Sequence, residues 1–139
     1  MLYLDTSVLV SAYTHEPATA RALAFLNRQT DPVSISEWVA TEFAAALSMK
    51  MRIGALEEAY RREALALFER SAAASMEMIP VATSHFKAAA RFATEYKLGL
   101  RAADALHLAI AAERDATLCT LDKRLAKAGK ALGVATKLI

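Results

Sequence analysis

Near its start the chain reads MLYLD, and near its end TLCTLD: two short apolar runs, each closed by an aspartate, Asp5 and Asp122. Apolar runs of four or five residues bounded by polar residues read as buried strands, because a helix needs about ten or more. The segments between them carry helical spacing. Strands separated by helices of that length need crossover connections, which make a sheet mainly parallel. The expected fold class is therefore α/β, a three-layer α/β/α sandwich with a mainly parallel, roughly five-stranded central sheet. Residues 1–139 are expected to form a single domain. In such sheets ligands bind beyond the carboxyl ends of the strands, near the point where the strand order reverses. Asp5 and Asp122 stand at two such ends.

The pattern gives strands at 1–4, 33–35, 76–81, 117–121 and 134–138. Pro80 interrupts the third and assigns it to a sheet edge, since proline cannot donate to a ladder. Residues 6–13 continue the first strand as an apolar turn or helical start, broken by His15-Glu16-Pro17. Helices are expected over 18–28, 36–52, 55–74, 84–96, 101–114 and 123–132, with Gly54, Gly99 and Gly133 near three of their ends. Asp31-Pro32 reads as a turn.

A chain of this length buries roughly two-thirds of its unfolded surface, enough for a core without staples. Its composition, 55% hydrophobic and 23% charged, belongs to folded proteins rather than disordered ones. Cys119 is the only cysteine, so no internal disulfide forms; its apolar setting makes it a packed small hydrophobe. No run approaches the ~18 apolar residues of a membrane span, and the N-terminus lacks the basic stretch of a signal peptide. The expected location is the cytoplasm, with no membrane partner.

Four of the fifteen acids resist a surface role. Asp5 closes the first strand, where the alternative is a helix N-cap. Asp122 repeats that arrangement, with a stronger claim to the N-cap role. Asp104 lies in AADALHLAIAA, a helix without a polar face, between Leu100 and Leu108 at one turn's spacing. A carboxylate in such surroundings costs several kcal/mol unless something pairs with it. Arg101 or a bound cation is the candidate partner. Glu42 has Trp38, Val39, Ala45 and Ala46 as its helical neighbours, so it lies along a buried stripe or at its edge. Glu37, by contrast, follows Ser34 by three residues, the spacing of a capping box.

Four buried carboxylates repel one another, and a divalent ion removes the conflict. Oxygen donors suit Mg²⁺ or Mn²⁺, and no Cys/His cluster suggests zinc. His15, His85 and His107 are too scattered in sequence to read as a site. His107 falls one turn after Asp104 and either orients it or, the preferred reading, packs as an ordinary core histidine. Setting the four acids aside, the seventeen basic residues dominate the rest of the surface, which suits a polyanionic substrate. Lys123, Lys127 and Lys130 share one helical face, and Lys87 pairs with Arg91 at i,i+4. Each group is either a contact for such a substrate or a solvated face.

The motifs LDTSVLV, VATEFAAAL, RAADALHLAIA and TLCTLDKRLAKAGKALGV, in this order, resemble the PIN-domain ribonucleases, and among them the VapC-type toxins of bacterial toxin–antitoxin pairs. The resemblance implies that Asp5, Glu42, Asp104 and Asp122 are both catalytic and metal-binding, with Mg²⁺ as cofactor and Mn²⁺ as a substitute. It implies metal-dependent hydrolysis of RNA to 5′-phosphate products by one or two ions. Thr6 and Thr120 match hydroxyl positions that support the acids. Arg101 either contacts phosphate or pairs with Asp104. The implied partners are an RNA substrate, a cognate antitoxin and a second copy of the chain, for which residues 43–51 and 56–68 offer apolar helix faces; core packing is the other use of those faces.

Competing folds are weaker. A haloacid-dehalogenase-type phosphatase needs an acid two residues after the first, where this chain has Ser7. A receiver domain needs a paired acid near its N-terminus, which is absent. A catalytically silent PIN-like RNA- or protein-binding module remains the alternative function.

Overall fold

The computed structural model describes residues 1–30 and 32–139; the turn expected at Asp31-Pro32 falls partly outside the described residues. Among these residues five strands, β1 (Leu2–Leu4), β2 (Val33–Ser36), β3 (Met76–Ile79), β4 (Thr117–Thr120) and β5 (Thr136–Leu138), form one sheet in the order β3-β2-β1-β4-β5. Every pairing is parallel, with Tyr3 opposite both Ser34 and Leu118. The expected parallel, five-stranded α/β/α sandwich is therefore the observed one. β3 occupies an edge, as expected, but it ends at Ile79, so Pro80 follows the strand instead of interrupting it.

Among the described residues seven α-helices connect the strands: α1 (Thr6–Tyr13), α2 (Thr19–Leu26), α3 (Glu37–Arg52), α4 (Glu58–Ser75), α5 (Thr83–Ala93), α6 (Ala102–Glu113) and α7 (Lys123–Ala131). From β1 the chain moves one way through β2 to β3, then crosses back to β4 on the other side of β1. Right-handed crossovers thus place α1–α4 on one face and α5–α7 on the other. The order reverses between β1 and β4, so their carboxyl ends border the crevice where doubly wound sheets bind ligands.

Local chemistry explains several boundaries. Ser36 caps α3 by accepting from the Val39 N–H at 3.4 Å. The capping box expected from Ser34 and Glu37 does not form. Ser34 lies inside β2 and donates to the Leu2 carbonyl at 2.8 Å, while Glu37 accepts from the Val81 N–H at 3.4 Å. α5 ends at Ala93, earlier than expected; a short 3-10 turn at Tyr96–Leu98 follows, closed by Gly99 at φ +62°.

The core explains the apolar stripes on α3 and α4. Phe43 and Leu47 are buried, and Phe43 stacks on Phe68 at 4.6 Å between ring centres. These positions thus serve the chain's own interior, leaving Met49, Ile53 and Tyr60 exposed. α6 is buried from Ala105 to Ala111, in keeping with its all-round apolar sequence. No described helix is long and apolar enough to cross a membrane.

Candidate metal centre

Asp5 leaves β1 at the centre of the sheet, its N–H donating to the Cys119 carbonyl of β4 at 3.0 Å. It occupies the N-cap position of α1, but its side chain makes no capping bond. Instead Oδ2 accepts from Ser7 Oγ at 2.7 Å and from Thr120 Oγ1 at 2.6 Å. Only 7% of Asp5 is exposed. Hydroxyls on both sides satisfy one carboxylate oxygen and hold the other in a fixed direction.

Glu42 arrives from the second turn of α3. Its Oε2 accepts from Thr6 Oγ1 at 2.5 Å and lies 2.6 Å from His107 Nε2. Burial pushes the Glu42 carboxyl up, but the His107 and Thr6 contacts and the nearby Trp38 indole outweigh it and hold Glu42 below the usual carboxylate range.

His107 is the residue that sequence reasoning undervalued. It is neither an ordinary packed histidine nor the orienter of Asp104. Its ring is buried, with Nδ1 3.0 Å from the Tyr3 hydroxyl and Nε2 facing both Glu42 and, at 3.5 Å, Asp5 Oδ1. Tyr3 OH in turn lies 2.8 Å from Ser36 Oγ. The chain Ser36–Tyr3–His107–Glu42 runs from the core to the pocket. Burial opposes protonation of His107, yet the Glu42 contact and the charges of Asp5, Glu42 and Asp104 raise its pKa. Facing two carboxylates, Nε2 serves as their donor.

Asp104 sits at the third position of α6, half-buried. Its Oδ2 accepts from the backbone N–H of Arg101 at 3.2 Å, so the partnership runs through the main chain, with the exposed Arg101 side chain making no ion pair among the described residues. Burial raises its pKa, and the carboxylates of Asp122 and Asp5 raise it further. Asp122 realises the N-cap reading: its Oδ1 accepts from the N–H groups of Arg124 and Leu125, at 2.7 and 3.2 Å. Its own N–H donates to Thr120 Oγ1 at 2.9 Å, tying it to the hydroxyl that holds Asp5.

Carboxylate oxygens of Asp5 and Glu42 and a ring nitrogen of His107 lie within 4.8 Å of one another, the oxygens open to a cation and the histidine serving as their donor. Asp104 and Asp122 stand at the border of that cluster, near enough for their charges to be felt. Carboxylates outnumber the one histidine, and hydroxyls supply the remaining donors. That set fits a hard, oxygen-seeking divalent cation better than zinc. Ser7 was also missed: it bonds Asp5, accepts from the Leu121 N–H at 3.1 Å, and so ties the β1 end to the β4 end.

Comparison with curated proteins finds no match. Among solved structures the chain is similar to VapC20 from Mycobacterium tuberculosis, a sarcin–ricin-loop-cleaving toxin, with 16% identity over 97% of each chain and a TM-score of 0.76. It is similar to FitAcB from Neisseria gonorrhoeae at 19% identity over 98% of this chain and 96% of that one, TM-score 0.70. VapBC-5 from Mycobacterium tuberculosis, of the VapBC family of toxin–antitoxin systems, aligns at 23% identity over 99% and 96%, TM-score 0.61. The model of the PIN domain matches residues 2–131. With nearly its whole length inside that match and its acids gathered where the sheet order reverses, the chain belongs to the PIN-domain family.

Proposed function

We propose that the chain is a divalent-metal-dependent endoribonuclease that hydrolyses RNA phosphodiester bonds in the cytoplasm and acts as the toxin of a toxin–antitoxin pair. The observation that carries this reading is the pairing of Asp5 and Glu42, each oriented by hydroxyls, beside Asp104 and Asp122 at the crevice of a PIN sheet. The toxin–antitoxin assignment is supported by the similar structures named as such.

Asp5, Glu42, Asp104 and Asp122 would hold one or two Mg²⁺ ions, or Mn²⁺ in their place. When bound, such an ion supplies Lewis-acid stabilisation of the scissile phosphate and an acidified water. Asp5 and Asp104 are the main direct ligands. Asp5 brings the oxygen not engaged by Ser7 and Thr120. Glu42 positions an ion or its water, fixed by Thr6 and His107. Asp122 offers the oxygen left free by its helix cap. Lys123, Lys127 and Lys130, all exposed on α7, approach the RNA backbone, as do Lys87 and Arg91 on α5.

The antitoxin is a partner encoded with this chain, and a second copy completes the active assembly. The test is sequencing of RNA ends after induced expression in a bacterial host. Discrete new 5′-phosphate ends and growth arrest are expected with the wild type and not with Asp104→Asn. Equal growth and identical RNA ends in the two strains would overturn the proposal.

A further inference from the structure

A second recess opens beside the carboxylates. It lies between α3, α5 and α6, with a volume of about 260 Å³. Trp38 and Phe86 supply its large side chains; Ala89, Ala90, Ala102 and Ala103 keep its walls low. Phe86 is 54% exposed although it is a large apolar residue, and its face borders this recess. Exposed aromatic surface in a recess marks a place where something binds.

Two positions join the recess to the carboxylate pocket. Trp38 precedes Glu42 by one turn of α3, and Ala103 precedes Asp104 on α6. The buried Trp38 Nε1–H makes no full hydrogen bond among the described residues but lies near enough to Glu42 to lower its carboxyl, while the indole lines the recess, so one side chain borders both. The exposed Arg101 stands at the N-cap position of α6, without a side-chain capping bond, next to the recess-lining Ala102, so a cation and a helix N-terminus adjoin the recess in sequence. A ligand matched to these features is flat and apolar on its face and anionic along its edge. A nucleotide has that form, and single-stranded RNA bases stack on aromatic side chains in this way.

We propose that the recess between α3, α5 and α6 is a base-stacking subsite, holding one unpaired nucleobase against Phe86 and Trp38 beside the phosphate presented to the carboxylates. This rests on the ribonuclease reading above. With almost no polar lining, the subsite accepts any base by its π-face and leaves sequence selection to other contacts.

Trp38 is the only tryptophan, so indole fluorescence reports on this recess and on Glu42 beside it, and the abasic hexamer separates the two. The probes are adenosine and uridine hexaribonucleotides and an abasic hexamer, titrated into Asp5→Asn protein. Both base-bearing hexamers should quench Trp38, and the abasic hexamer should not. Adding Phe86→Ala, a change at an exposed position, should weaken hexamer binding roughly 5- to 150-fold, the loss of one stacked base at about 1–3 kcal/mol. Phe86→Tyr should restore it. On the Asp5 background, Phe86→Ala should raise KM more than it lowers kcat.

Absence of quenching, or unchanged hexamer affinity in Phe86→Ala, overturns the subsite. So does a change from dimer to monomer in Phe86→Ala with RNA binding intact, which would give the recess to a second copy. The two readings fail separately. Wild-type cleavage that is indifferent to Phe86→Ala sinks the subsite and leaves the nuclease standing. Quenching by base-bearing hexamers without wild-type cleavage does the reverse.

Discussion

Thr120 Oγ1 donates a 2.6 Å hydrogen bond to Asp5 Oδ2, joining the carboxyl ends of the two strands between which the sheet order reverses. The same oxygen accepts from the Asp122 N–H, so one hydroxyl aligns two of the four acids. Thr120→Val keeps the shape and removes both bonds. Loss of such a supporting contact should reduce metal affinity or activity roughly 10- to 100-fold. The orphaned Asp122 N–H should cost ~1–3 kcal/mol in a urea melt. Thr120→Ser should keep most of both. Full metal affinity in Thr120→Val would remove this threonine from the account.

His107 gives a second prediction. A histidine that merely packs tolerates a volume-conserving apolar substitute at under about 1.5 kcal/mol. His107 instead bridges Tyr3 and Glu42. His107→Leu should therefore destabilise the fold by roughly 1–3 kcal/mol for the polar groups it strands. It should also reduce Mg²⁺ affinity, because Glu42 then loses its His107 contact and is left to Thr6 and the nearby indole. Chemical denaturation and metal titration of the same variant read both effects. Wild-type values for both would assign His107 to the core.

The fold was legible because its signals are local. Apolar runs ending in Asp5 and Asp122 marked two strands and their carboxyl ends, and Pro80 marked the end of β3, which lies at an edge. Asp104 and Glu42 stood out because their helical neighbours are apolar. His107 did not, because a histidine on a fully buried helix matches a satisfied core residue in every local respect. Its meaning depends on Tyr3, 104 residues away, and on Glu42, 65 away. Two hydroxyl residues in fully buried strand positions, Tyr3 and Ser36, were the available signal for a buried network. Ser7 reads in sequence as a helper of an N-cap at Asp5 or as the place of an absent acid, though its hydroxyl holds the Asp5 carboxylate. The Ser34–Glu37 capping box fails because Ser34, inside β2, turns its hydroxyl to the Leu2 carbonyl and Ser36 caps the helix instead.

Cys119 supplies a pH-dependent test away from the acids' own chemistry. Burial raises its thiol from 9.0 to about 11, with Lys137 pulling weakly the other way. At pH 8 the native protein should react with maleimide far more slowly than the urea-unfolded chain. The folded value exceeds the unfolded one, so the stability contributed by the neutral thiol is whole below about pH 9. It is then lost as pH rises through about 11. Thermal melts of wild type and Cys119→Ala across that window should converge as pH rises. Equal labelling rates in native and unfolded protein would contradict the buried setting.

The most direct measurement is RNA cleavage by wild type and Asp5→Asn, with Mg²⁺ or Mn²⁺ titrated against EDTA and circular dichroism recorded on both proteins. The wild type should cleave only with the metal, and saturating metal should raise its Tm. Asp5→Asn should keep the native spectrum while losing cleavage and the metal-dependent rise in Tm together. Cleavage by Asp5→Asn at the wild-type rate, or undiminished cleavage by the wild type in EDTA, would contradict the metal centre built on Asp5, Glu42, Asp104 and Asp122.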